Sequence, residues 1–299
     1  MKPNLFIVGA PRCGTTSLWS YLKDHPDIFM SAEKELYFFD SDLRPAGWRG
    51  PSPDQYLANF SAAGGRKIIG EATPSYLRSE RAPKEIKAFN PAAQIIIMLR
   101  NPVDVMHSLH SSALYSPEPV TDFEAAVEAD ARRSGPERIG YHEFTDFPKQ
   151  VRRYFDLFGR ANVHIIIFDD LKENPGSAYR NTLRFLKVDE GFVPEFTIVN
   201  ANASVRYLRL QRNLAHPPGV LREIARALVP QLLRTRIKRS LLDSNLVVRP
   251  RAPMDLRFRR RLQKEFEPQV EQLSKLIGRD LSAWCVEAAS SNGDRTVTE

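Results

Sequence analysis

The stretch Gly9-Ala10-Pro11-Arg12-Cys13-Gly14-Thr15-Thr16-Ser17 puts two glycines, one cation and three hydroxyls into nine residues. A glycine-bearing loop that opens a helix points backbone N–H groups at an anion, and the helix dipole adds to the attraction. Three hydroxyls supply further donors. Arg12 supplies a planar fork that matches phosphate or sulfate. Gly9, Gly14 and Thr16 keep the G-x-x-x-x-G-K-[ST] spacing of a nucleoside-triphosphate loop, but the lysine position holds Thr15. The loop is therefore expected to hold an anion through Arg12, Cys13, Gly14, Thr15, Thr16 and Ser17. It is not expected to polarise the γ-phosphate of ATP.

A second motif follows the strongest apolar run. LRNPVDVMHS places Arg100 at a predicted strand end, Pro102 at the first position of a helix, and Ser108 two turns on. A second phosphate fits between Arg100 and Ser108. EKELYFFD, Glu33 to Asp40, sets carboxylates beside Tyr37, Phe38 and Phe39. An aromatic environment raises a carboxyl pKa toward neutrality, which suits a general base. Taken alone the same segment reads as a charged turn followed by core aromatics. GEATPSYL places Glu71 at a further strand end.

These residues need a scaffold that brings strand ends together. Leu5 to Gly9, Lys67 to Gly70, Gln94 to Leu99 and Val163 to Phe168 are continuous apolar runs separated by helical patterns, which predicts a parallel sheet covered on both faces. Ligands bind at the carboxyl ends of such strands. Helices are predicted at 17–23, 103–111, 123–133, 147–158 and 178–186, then near 220–242 and 256–276, with Pro230 breaking the first of the last pair. Residues 41–65 and 112–122 read as loops, and the tail after Trp284 as frayed.

The composition narrows the class. Two cysteines exclude a disulfide framework or a multi-cysteine zinc site. No apolar run reaches bilayer length and no leader is visible, so the expectation is a soluble cytoplasmic protein. Residues 201–264 carry 16 Lys/Arg against 3 Asp/Glu, a net +13, which leaves −6 elsewhere in a chain of net charge +7. Such a segment often meets an anionic ligand, lipid surface or nucleic acid, and equally often is a solvated helix surface.

Together and in this order, the motifs resemble the sulfotransferase family that uses 3′-phosphoadenosine 5′-phosphosulfate (PAPS), with the nearer likeness to its glycan (heparan sulfate type) branch and bacterial relatives. The resemblance covers most of the chain. It implies a P-loop-like α/β fold of three layers, with a central parallel sheet flanked by helices and a helical C-terminal extension. Residues 1–299 would be one domain, with a core over about 3–200 and a basic helical extension over about 201–285. It further implies transfer of a sulfuryl group from PAPS to a hydroxyl or amine, leaving adenosine 3′,5′-bisphosphate (PAP), with no metal required.

By the same resemblance GAPRCGTTSL is the 5′-phosphosulfate loop, with Arg12 where several members have lysine. Arg100 and Ser108 hold the 3′-phosphate, and Glu35 is the base. VVRPRAPMD is a weak counterpart of a loop that closes over the cofactor, with Arg249 the candidate and Arg251 the reserve. FDDLKENP, LKVD and LIGRDLSAW are also like bacterial members. There are departures: Ala72 stands where some glycan enzymes have lysine, and Tyr37 where some members have histidine. These leave the acceptor open among glycan, lipid, small natural product and peptide tyrosine, and leave His110 as a second candidate base. The basic amphipathic stretch VLREIARALVPQLLRTRIKRSLL could rest on an anionic membrane, guide an anionic glycan, or pack its leucines on the domain. A P-loop kinase or hydrolase would need the missing lysine and a strand-end magnesium ligand such as Asp169 or Asp170. A nucleic-acid binder would leave both phosphate motifs unexplained, so nucleic acid is not an expected partner. A sulfotransferase relative that binds nucleotide but no longer reacts completes the alternatives.

Overall fold

The computed structural model describes residues 1–45, 47–113, 122–133, 138–197, 203–205, 246–248 and 253–286. Five strands, β1 (Leu5–Gly9), β2 (Ile28–Met30), β3 (Ile68–Ala72), β4 (Gln94–Leu99) and β5 (Val163–Ile167), form one sheet in the order β2-β3-β1-β4-β5. Every neighbouring pair is parallel. β1 and β3 are buried along their whole length, and β4 from Ile95 onward. That burial explains why these strands read as continuous apolar runs rather than alternating ones.

The chain leaves β1 toward β2 and β3 on one side, then returns to build β4 and β5 on the other. The connections after β1 and β4 therefore diverge from adjacent strands, which opens a crevice at their carboxyl ends.

The strong runs became strands where expected, and helices follow at Thr15–Lys23, Pro102–Ala113, Phe123–Arg132, Phe147–Phe158, Pro175–Leu186 and Leu256–Ile277. The last packs Phe258, Leu262, Phe266, Val270 and Leu273 into the core. The predicted helix near 220–242 lies outside the described residues. A short antiparallel pair joins Ala203–Val205 to Leu246–Val248.

Three expectations are corrected. The stretch 41–65 is not simply loop: it holds the helix Pro53–Ala58 and two single 3₁₀ turns. That helix starts at a capping box, where Ser52 accepts from the Gln55 N–H and the Gln55 side chain accepts from the Ser52 N–H. Residues 112 and 113 continue the helix Pro102–Ala113 instead of starting a loop. Phe168 opens a helix, Phe168–Glu173, instead of ending β5. β2 went unpredicted because three residues carry too little periodicity.

Candidate active site

The loop after β1 turns through backbone that only particular residues accept. Gly9 has φ +154°, and a Cβ there would lie 2.5 Å from the Leu77 Cβ and 2.9 Å from the Pro74 carbonyl. Gly14 takes the left-handed conformation at the N-cap of Thr15–Lys23, against the ring of Phe168. The Ala10 N–H donates to the Met98 carbonyl at 2.7 Å, which ties the loop to β4. The helix it opens has no side-chain cap and no acidic residue in its first turn. Its first N–H groups face the loop, with the positive end of the dipole.

Arg12, itself left-handed at φ 65°, donates from Nε to the Ser108 Oγ at 2.7 Å. This bond joins the two phosphate motifs across 96 residues. Arg100 lies beside them. Its Nη1 reaches the Arg12 carbonyl at 3.5 Å, its Nη2 stands 3.8 Å from Asp104, and its guanidinium lies over the Phe168 ring. The Arg100 Nε is buried without a hydrogen-bond partner. Arg12, Arg100, Ser108 and an uncapped helix N-terminus are a donor set for a ligand with more than one anionic group.

Cys13 differs from its neighbours. Its side chain is fully buried, and desolvation pushes the thiol up to about 12, so only its backbone is offered to the loop. Thr16 and Ser17 are half-buried in the first turn, and Thr15 is almost wholly enclosed.

Opposite the loop lies the segment 33–40. Glu35 is left-handed at φ 66°, its N–H donates to the Ala72 carbonyl at 3.0 Å, and its side chain keeps 40% exposure. One carboxylate oxygen accepts from Lys34 at 3.3 Å, and the other accepts a short bond from the Tyr37 hydroxyl. Burial and that carboxylate together hold the Tyr37 phenol well above its usual range. Lys34 also reaches the Thr15 Oγ1 at 3.2 Å, so one ammonium links the anion loop to the candidate base.

The segment is anchored from beneath. The Leu36 N–H donates to the Thr73 hydroxyl, which donates to Glu71 at 2.6 Å; the Phe38 N–H donates to the Tyr76 hydroxyl, which donates to the same carboxylate at 3.2 Å. Tyr56 adds a third hydroxyl at 2.7 Å. Glu71 is fully buried, and desolvation raises it to about 7 against the hydroxyls that favour its charged form. Phe38 stacks on Tyr56, so these aromatics pack core and do not enclose Glu35.

His110 stands apart. It is 5% exposed, bonded to the Tyr141 hydroxyl and packed on Phe123, on the opposite side of its helix from Ser108. Asp169 accepts from the Trp284 indole, and Asp170 takes a bidentate pair from Arg279 at 2.6 and 2.7 Å. FDDLKENP and LIGRDLSAW thus meet each other. Arg249 and Arg251 lie outside the described residues. Lys34 and the hydroxyls of Thr73 and Tyr76 were not singled out from sequence. Lys34 sat between two glutamates, where a solvated charge is the usual outcome.

Residues 2–205 match the family profile described as the sulfotransferase domain. The crystal structure of a sulfotransferase from Alicyclobacillus acidocaldarius shares 28% identity, with a TM-score of 0.72, over 95% of this chain and 99% of that one. Among curated relatives, the membrane-associated sulfotransferase kil1 of Dictyostelium discoideum is 32% identical over 34% of this chain. The mouse (Mus musculus) heparan sulfate glucosamine 3-O-sulfotransferase 6 is 31% identical over 41% of it. The matched stretches span 21% and 34% of the length of those two relatives.

Proposed function

The chain belongs to the sulfotransferase domain family, and we propose that it moves the sulfuryl group of PAPS to a hydroxyl or amine of a carbohydrate or glycan-like acceptor. The observation that carries this reading is the Arg12–Ser108 bond, which fuses the loop after β1 and the motif after β4 into one cationic, donor-rich crevice. Beside it, Lys34 touches both the Thr15 hydroxyl of the loop and the Glu35 carboxylate.

PAPS supplies an activated sulfuryl group on a good leaving group, so the protein's task is positioning and charge stabilisation. The first turn of Thr15–Lys23, with Thr15, Thr16 and Ser17, holds the 5′-phosphate end. Arg100 and Ser108 hold the 3′-phosphate; Arg12 bridges the two, bonding Ser108 and lying against Arg100. Arg12 neutralises charge developing toward the 5′-phosphate. Glu35 takes the acceptor proton as the new S–O or S–N bond forms and the bridging S–O bond breaks. No residue among those described forms a group of three or more His, Cys, Asp or Glu suited to a metal.

The test is calorimetric titration of the whole chain with PAP, using ATP and AMP as controls and no added metal. Binding of PAP alone, lost in Arg100→Ala, supports the reading. Preference for ATP with magnesium overturns it and restores the kinase-like alternative.

The glycan preference is supported by the likeness to the mouse heparan sulfate glucosamine 3-O-sulfotransferase 6. Among the described residues no helix is long and apolar enough to cross a membrane. The reading carries a cytoplasmic location with it as a further expectation. The basic segment 201–264 would add a peripheral contact with anionic lipid. Cell fractionation at low and high salt checks both. A salt-resistant membrane pool overturns them.

A further inference from the structure

Any in-line transfer needs the sulfur between two fixed points. The acceptor oxygen must lie at the base, and the departing oxygen must lie at the anion loop. In this chain the base is Glu35 and the loop ends in Thr15, and one side chain touches both. The Lys34 Nζ stands 3.2 Å from the Thr15 Oγ1 and 3.3 Å from the Glu35 Oε1. It therefore lies beside the line along which the sulfuryl group must travel. We propose that Lys34 is a further catalytic residue of the transfer, binding a sulfuryl oxygen of PAPS through its ammonium group; the proposal rests on the reading of the chain as a PAPS-dependent sulfotransferase.

Three observations support it. An ammonium has three donors, and Thr15 and Glu35 take two, which leaves one N–H for a ligand. The side chain is only 14% exposed, and burial pulls its pKa below the usual lysine range while Glu35 pulls it back up. A partly desolvated cation acts more strongly on a charge than one in water. Finally, the neighbouring strand end offers no competing cation. Ala72 is fully buried, and its carbonyl accepts the Glu35 N–H, which places the Lys34–Glu35 peptide directly against β3.

Lys34 keeps its proton throughout. The acceptor's proton passes to Glu35, and the electron pair of the broken S–O bond stays with the 5′-phosphate. The sulfuryl oxygens remain anionic beside the ammonium from start to finish.

PAPS and PAP differ only in the sulfuryl group, so their affinities isolate this contact without an identified acceptor. Calorimetric titration of the full chain with each, in the absence of acceptor, is run on wild type, Lys34→Met and Lys34→Arg. Losing a charge-assisted hydrogen bond should weaken PAPS binding about 10- to 100-fold in Lys34→Met. PAP binding should stay within about threefold, which also certifies that the variant is folded. Lys34→Arg should recover most of the loss. An unchanged PAPS-to-PAP ratio in Lys34→Met overturns the proposal and leaves Lys34 as a tether for Glu35. Equal loss of both nucleotides also overturns it, since the lysine would then serve the phosphate or the fold. If wild type binds neither nucleotide, the sulfotransferase reading itself fails, a result distinct from either of those.

Discussion

Glu35 and Arg12 both sit in left-handed backbone, at φ 66° and 65°, in positions where a side chain is costly. Such strain persists only where surrounding contacts over-determine it, and here those contacts are the Ala72 carbonyl and the Ser108 hydroxyl. The two groups are thereby held at fixed points on either side of the crevice. Replacing Glu35 by Gln keeps the shape and removes the proton acceptor. We expect kcat with PAPS and a working acceptor to fall about 10²- to 10⁴-fold. PAP affinity measured by titration should hold, because Glu35 touches neither phosphate site. Full activity in this variant would remove Glu35 from the base role. Arg12, Arg100 and Ser108 could be singled out as candidates because the loop and the strand-end motif occur together in the order that sulfotransferases show, and the structure brings the three side by side. Lys34 was not, because its contact with Thr15 depends on the turn made by the left-handed Glu35 and Tyr37, at φ 66° and 51°. No sequence spacing encodes that turn.

The elements explain why the site is rigid. Strand ends β1, β3 and β4 carry the loop, the anchor and the Arg100 motif, and their parallel register aligns these at one edge. Glu71 acts through hydroxyls: Thr73 and Tyr76 each accept from the backbone of the Glu35 segment and donate to the buried carboxylate. Thr73→Val deletes both roles of one hydroxyl at constant volume. It should destabilise the fold by about 1–3 kcal/mol, since the Leu36 N–H and one carboxylate oxygen each lose a partner. Denaturant unfolding measures the loss, and a change below about 0.5 kcal/mol would show that the anchor is idle. The strong strands were readable from apolar runs. The helix Pro53–Ala58 carried a legible start, Ser52 with Gln55 three residues on, yet its Pro- and Ser-rich surroundings masked it. β2 had no such signal and is defined only by its pairing with β3.

At the scale of the whole molecule, the C-terminal segment returns to brace the strand ends. Asn101 and Gln263 both donate to the Trp284 carbonyl, and Arg259 shares Asp104 with Arg100. Sequence showed the motifs involved but not that they meet, since only tertiary packing pairs Asp170 with Arg279. The buried charges of the core make a prediction about global stability. Glu71 has its folded pKa raised from 4.5 to about 7 by desolvation, so the folded state binds a proton more tightly than the unfolded chain. Its favourable contribution is complete below about pH 4.5 and is lost as pH rises to about 7. His164 has the opposite sign. Burial lowers it from 6.5 to about 4, so its contribution is complete above about pH 6.5 and is lost as pH falls toward 4. The two slopes oppose each other between about pH 4.5 and 6.5, and each spans roughly 3 kcal/mol. Glu71→Gln removes only the first. The stability of wild type minus that of the variant, measured by urea unfolding at pH 4.5, 5.5, 6.5 and 7.5, should therefore decrease as pH rises and level off above about 7. A flat difference would mean that Glu71 binds its proton equally well in the folded and unfolded chain, with its cost of burial fully offset by the hydroxyls of Tyr56, Thr73 and Tyr76.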